Sequence, residues 1–291
     1  MKLIKPSFEI WNQPAGLEGV YKQIERVGRV CYKSEDKITG DSAKGFVDRM
    51  VKSGHGAMLE HGTVYLKVPY SEAHSILPAD SNWVMDNYCS NPYSIVKGDG
   101  EDFYITSNYR VLVENSWLDD LQYICEPTEF HEKRITVHFV CDRGVSHEFV
   151  RHRVMSFAQE STRYCNYSKD KFGNELTFIQ PCWLDDERLK LYGPYHTVIR
   201  DKSPESIFIA NLNNAERDYL DLIGLGWKPQ EARAVLPNSL KTELVVTGFV
   251  SDWNHFFDLR ARGTTGAPHP QAKELAEPLM KEFIARKYIN N

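Results

Sequence analysis

Arg151, His152 and Arg153 stand in a row, and Ser156, Gln159, Glu160, Ser161, Thr162, Arg163 and Tyr164 follow within eleven residues. From Ser146 to Tyr164 the chain carries three arginines, two histidines and two carboxylates, interleaved with Phe149, Val150, Val154, Met155 and Phe157. A guanidinium is permanently charged and forked, which suits phosphate and carbonyl oxygens. A serine beside an arginine, as at Ser161 and Arg163, adds a neutral donor to a phosphate site. A further arginine would polarise a planar heterocycle that carries carbonyl oxygens and an acidic N–H. These residue types therefore point to retention of an anionic ligand. For any one arginine, solvation or pairing with Glu148, Glu160 or Asp258 is the simpler reading. For the cluster as a set it is not.

Other chemistries fit less well. His55, Glu60 and His61 could suggest a metal, but their spacing is not a recognised ligand pattern and no HExxH is present. Ligand contact or a buried hydrogen-bonding role is the better expectation for them, and no metal is assigned. A hydrolase built on His55, His61 and His147 is the weaker alternative. There is no GxSxG, no GxGxxG after a strand and no P-loop. Cys182 lies between Pro181 and Trp183, with nothing basic after it to activate a thiol.

Composition narrows the class. With 291 residues, 42% hydrophobic and 26% charged, the chain can bury a full core and reads as globular and cytoplasmic. A net charge of −5 argues against general nucleic-acid binding. No apolar run approaches a membrane span, and the start lacks a signal-peptide core. The six cysteines are scattered without a CxxC pair, so free thiols are expected.

The elements that would position the cluster follow from periodicity. Residues 2–11 suit an edge strand, Leu17 to Val30 and Ser42 to Lys52 amphipathic helices, and Thr63 to Val68 a strand. Residues 70–133 are broken by Pro69, Pro78, Pro92 and a Gly98-Asp99-Gly100 turn; they read as an insertion packed on the main domain. Within them Tyr104 to Val113 suits a strand and Ser116 to Cys125 a short helix. Ile135 to Cys141 is a strand. Ser146 is expected to cap a helix running into the arginine cluster, with His147, Arg151 and Met155 one turn apart. On such a helix Arg151, His152 and Arg153 point in three directions, about 100° apart. Adjacent sites in an oligomer could share them. Ser203-Pro204 opens a long helix to about Ile223, and Pro229 opens a short one containing Arg233. Leu240 to Val250 suits a strand. Asp252 is expected to cap a helix carrying His255 and Arg260, and His269-Pro270 opens the last helix.

These residues resemble the flavin-dependent thymidylate synthase (ThyX) family. Its signature, R-H-R, seven residues, then S-x-R-Y, is matched by Arg151-His152-Arg153 and Ser161-Thr162-Arg163-Tyr164. GHGAMLEH at 54–61, ARAVLP at 232–237, FFDLR at 256–260 and HPQ at 269–271 are similar to further family motifs, in the family's order. The resemblance implies a single α+β domain over 1–291, a mostly antiparallel sheet packed with helices, with about 70–133 inserted. It implies reductive methylation of dUMP to dTMP, with 5,10-methylenetetrahydrofolate as methylene donor and FAD hydride from NADPH. It also implies a homotetramer with shared sites, and partners limited to small molecules, without nucleic acid or membrane. Arg260 matches the arginine that favours the ionised uracil N3 and is the catalytic candidate. Glu148, Arg151, Gln159, Glu160, Ser161, Thr162, Arg163, Arg233 and Arg260 match the dUMP side. His55, Ala57, Arg151, His152, Arg153, Gln159 and His255 match the FAD side. The chain departs from the pattern in places. Ala57 replaces a hydroxyl residue, and either Gln159 or Glu160 stands for an acidic one. Phe249 and Ser251 replace an asparagine and an arginine.

Overall fold

The computed structural model describes residues 1–73, 82–190 and 202–290. Pro78 and part of the 70–133 stretch lie outside them. Strands β1 (Lys2–Ile4) and β2 (Ser7–Trp11) are separated at Pro6, which cannot donate to a ladder. Helices α1 (Gly16–Tyr32), α2 (Ser42–Lys52) and α3 (Gly56–Leu59) lead to β3 (Thr63–Pro69) and α4 (Tyr70–Ala73). Then come β4 (Ile95–Gly98), β5 (Asp102–Asn108), α5 (Tyr109–Asn115), β6 (Arg134–Asp142), α6 (Arg143–Phe149), β7 (Ser156–Gln159) and β8 (Thr177–Ile179). Helices α7 (Asp186–Lys190), α8 (Pro204–Gly224) and α9 (Pro229–Ala232) precede β9 (Lys241–Phe249), α10 (Val250–Phe257) and α11 (Pro270–Ala285).

The central sheet is antiparallel in the order β2-β6-β9-β7. Its long ladder runs from Arg134 opposite Phe249 to Asp142 opposite Lys241. Alternation sends Val137, Phe139, Leu244 and Val246 to one face, where Trp253, Phe256, Phe257 and Phe283 of α10 and α11 bury them. Ala158 and Val245 face the other way, into a core with Val20, Ile24 and Val27 of α1. A second antiparallel sheet, β3-β5-β4, closes that core. α1 and α2 touch closely at Gly28, where a Cβ would lie 2.4 Å from the Phe46 ring. β1 and β8 form a parallel pair beside a third core around α8. The architecture is α+β with mostly antiparallel sheets.

Four local expectations are corrected. The arginine triplet is not helical: α6 ends at Phe149, and residues 150–155 form turns before β7. Arg260 Nη2 donates to the Glu148 backbone carbonyl at 2.9 Å, so a distant side chain satisfies a terminal carbonyl that another turn would otherwise engage. The cap of α6 is Asp142, whose carboxylate accepts from Val145 N–H at 2.7 Å, and Ser146 sits inside the helix. Tyr104 to Val113 is a strand only to Asn108. The Asn108 side chain accepts from Val111 N–H and starts α5. Asp252 lies inside the first turn of α10 and accepts from the Phe249 N–H at 3.0 Å.

Candidate active site

α6 and the turn after it are held against α10 by one guanidinium. Arg260, in the π-helical turn Asp258–Arg262 after α10, donates from Nη1 to Glu148 Oε2 at 2.7 Å and from Nε to His152 Nε2 at 3.3 Å. With Nη2 on the Glu148 carbonyl, one N–H on each Nη is left for a ligand. A guanidinium can only donate, so His152 Nε2 is the acceptor and its proton sits on Nδ1. His152 packs on Phe256 at 5.0 Å and lies 5.8 Å from the exposed His255. Burial first, then Arg260 and His255, pull His152 down to about 4. Burial also takes His61 down to about 3, with Arg134 adding to the effect.

Both histidines are thus neutral when folded, and the unfolded chain binds their protons first. Their stabilising effect is complete above about pH 6.5 and is lost as pH falls toward 4, each worth a few kcal/mol. We expect the melting temperature to fall between pH 7 and pH 5, and less steeply in His152→Asn. An equal fall in that variant would remove His152 from the explanation.

The start of α6 faces a different cavity, of 460 Å³, walled by Arg143, Thr162, Arg233 and Asn238 with no carboxylate among its lining residues. Arg233 Nη1 donates to Thr162 Oγ1 at 3.1 Å. Among the described residues, Arg143 Nη1 is buried without a partner. The backbone N–H of Arg143 is tied to the Asn238 carbonyl at 2.9 Å, fixing the side chain's origin. Along α6, ~1.5 Å per residue separates Arg143 from Glu148 by roughly 8 Å. That span is comparable with the reach from phosphate to base in a nucleoside monophosphate.

Alternation along β7 splits Gln159 from Glu160. Gln159 Nε2 donates to Ser146 Oγ at 2.9 Å and Thr242 Oγ1 at 3.2 Å, on the α6 side. Glu160 turns to the α1 side, where it accepts from Lys241 Nζ at 2.9 Å and Tyr167 O–H at 3.0 Å. Lys241 and Lys33 each reach Glu243 at 2.5 Å, and His138 Nε2 donates to the same carboxylate at 2.9 Å. Burial works to raise the Glu243 carboxyl, but His138, Lys241 and Lys33 overcome it and hold it below the usual carboxylate range.

Ser161 Oγ accepts from Arg163 N–H at 3.3 Å, and the Arg163 side chain is exposed. Arg151 and Arg153 are exposed on the turn, without ion pairs among the described residues. Of the pairings weighed for the cluster, Glu148 takes Arg260, Glu160 takes Lys241 and Asp258 takes Arg262. His55 and Ala57 are exposed around the start of α3, which packs beside β7; no hydrogen bond joins their side chains to the Arg260 cluster among the described residues. His61 is fully buried, its Nδ1 on Thr247 Oγ1 at 2.8 Å, which is a core hydrogen-bonding role.

A third cavity, of 200 Å³, opens between α5 and Val154 and is lined by Arg110, Arg134, Ser156 and Phe249. Arg143, Arg134 and Arg110 were not singled out by sequence reasoning. Arg143 had a signal, as a cation next to the Asp142 cap of the key helix. Arg110 and Arg134 had none, because only the fold brings α5 and the start of β6 to one cavity.

Residues 100–286 match the family model described as thymidylate synthase complementing protein. A flavin-dependent thymidylate synthase of Pyrococcus furiosus is 32% identical over 149 residues, 51% of this chain and 53% of that protein. One from Corynebacterium diphtheriae is 26% identical over 190 residues, 63% of this chain and 73% of that protein. The chain thus spans about half the length of the first of these relatives. The crystal structure of a UMP/dUMP methylase PolB from Streptomyces cacaoi bound with 5-Br dUMP aligns over 98% of this chain and 93% of that one. Its TM-score of 0.44 and 18% identity are too low to bear weight. The family model covers well over half of the sequence, and the chain belongs to the thymidylate synthase complementing protein family, that of the flavin-dependent thymidylate synthases.

Proposed function

We propose that the protein methylates dUMP reductively to dTMP, with 5,10-methylenetetrahydrofolate as methylene donor and FAD, reduced by NADPH, as hydride source. The observation that carries this reading is the acid-free cavity between Arg143, Arg233 and Thr162 at one end of α6, with the Arg260 cluster at the other. The cavity takes the phosphate. Gln159, on the same face, and Ser161 and Arg163 complete the nucleotide side, while Glu160 serves the lysine network behind the sheet.

At the base, the free N–H groups of Arg260 meet a uracil carbonyl and stabilise negative charge on the ionised ring, which activates C5. Glu148 positions that guanidinium, and His152, neutral and packed on Phe256, fixes its Nε edge. The residues fit a flavin dinucleotide: the exposed Arg151 and Arg153 lie beside Val154, whose cavity joins the Phe249 ring to two guanidiniums. FAD, when bound, supplies the hydride. Residues on the exposed turn are reachable from a second copy, consistent with a homotetramer of shared sites in the cytoplasm.

Anaerobic incubation of the purified chain with FAD, NADPH, dUMP and methylenetetrahydrofolate tests the reaction, and absence of dTMP would refute it. Binding of dUMP with no flavin-linked turnover would instead make the protein a silent nucleotide binder. Arg233→Ala should raise KM for dUMP by roughly 10- to 100-fold, the worth of a charge-assisted phosphate contact, and change kcat less. A fall confined to kcat would move Arg233 away from the phosphate.

A further inference from the structure

The cavity of 200 Å³ between α5 and the Val154 turn, lined also by Glu60 and Glu114, holds the half-buried Arg134, which forms no ion pair among the described residues. Arg134 Nη1 donates to the Glu60 backbone carbonyl at 3.0 Å, and Nη2 to Ser156 Oγ at 3.3 Å. Its Nε is buried and has no partner among the described residues. Among the described residues no carboxylate pairs with it. The Glu60 carboxylate, in the same wall, is taken by Arg110 at 2.5 Å, and Arg110 is shared with Glu114 at 2.7 Å. Burial pulls the Arg134 guanidinium down to about 10. A buried charge left uncompensated is strongly unfavourable, and an anion entering the cavity would compensate it.

The walls add shape to the charge. The Phe249 ring centre lies 5.5 Å from the Arg134 guanidinium carbon, and Tyr93 and Val154 are exposed beside it. Flat apolar surface next to paired guanidiniums suits an aromatic group joined to phosphate. Phe249 is itself one of the departures from the family pattern.

We propose that Arg134, with Arg110 across the cavity, receives the phosphate of an aromatic phosphate ester, the diphosphate of FAD. This rests on the proposed flavin-dependent reaction and adds two residues to its binding machinery. Both come from outside the arginine triplet, and Arg110 comes from the 70–133 stretch.

Equilibrium binding to the full chain, by flavin fluorescence and calorimetry, tests it with FAD, dUMP and inorganic diphosphate as probes. Wild type, Arg134→Gln, Arg134→Lys and Arg110→Gln are compared, with circular dichroism melts alongside. Arg134→Gln is expected to weaken FAD by about tenfold or more. Arg134→Lys should recover part of the loss, and inorganic diphosphate should compete in the wild type only. A loss confined to dUMP, with FAD affinity unchanged, overturns the proposal. Unchanged affinity for both ligands in folded variants overturns the proposal. If Arg134→Gln does not fold, Arg110→Gln decides, and unchanged FAD and dUMP binding there overturns it. A wild type that binds neither FAD nor dUMP would bring down the proposed reaction itself, a different result from tight binding that ignores the arginines.

Discussion

Arg260→Ala should lower kcat by about 10²- to 10³-fold, the scale of losing one preorganised donor at a developing negative charge. The guanidinium is fixed on three sides, by the Glu148 carboxylate at 2.7 Å, the Glu148 carbonyl at 2.9 Å and His152 at 3.3 Å. It therefore meets the base without reorganising. Arg260→Lys should recover little, because an ammonium cannot hold Glu148 in two places and still present a flat edge. Circular dichroism should show both variants folded, since the pair is partly solvated, at 17% and 30% side-chain exposure. Single-turnover dTMP formation at saturating dUMP separates chemistry from binding. A defect that appears only in KM would make Arg260 a binding residue and nothing more.

The largest stability loss is expected behind the sheet. Glu243→Ala leaves Lys33 and Lys241 without the carboxylate they share, in a place where the three side chains are 13–17% exposed. Breaking a buried ionic group by removing one partner costs about 3–5 kcal/mol. For a chain of this size that lowers the melting temperature by on the order of 10 °C. Glu160 still pairs with Lys241 at 2.9 Å and the more exposed Glu35 with Lys33 at 3.1 Å, so each lysine keeps one carboxylate and the loss falls at the lower end of that range. Adding Lys33→Met to Glu243→Ala should restore part of the loss, because a cation left with only the exposed Glu35 is removed with its stem kept. If Glu243→Ala melts within a degree or two of the wild type, the network does not hold the sheet to α1.

What could be read from the sequence was what local patterns decide. The apolar spacing of α1 and α2, the Ser203-Pro204 start of α8 and the His269-Pro270 start of α11 each match the structure within a residue or two. The Ile135 to Cys141 run reads as a strand because its β-branched and aromatic residues leave no competing pattern. The end of α6 was hidden. Helical spacing continues through Met155, and the side chain that takes the Glu148 carbonyl, Arg260, is 112 residues away. Asn108 was a legible cap overlooked inside a β-branched run. The residue types of the Arg260 cluster were legible, but the pairing of Glu148 with Arg260 was not. The partition of Gln159 and Glu160 follows from alternation once β7 is known to be a strand.

The order β2-β6-β9-β7 has a consequence for motion. The β6–β9 ladder, nine residues on each side, sits in the interior of the sheet, whereas β7 is a four-residue strand at its edge, entered through the Arg151–Val154 turn. Local opening of β7 and its turn breaks few ladder bonds and leaves the aromatic core beneath β6 shut. The segment beside the proposed ligands can fluctuate at low free-energy cost while the ladder sets the cost of global unfolding. Selection could therefore tune the speed of the site without spending the stability of the fold.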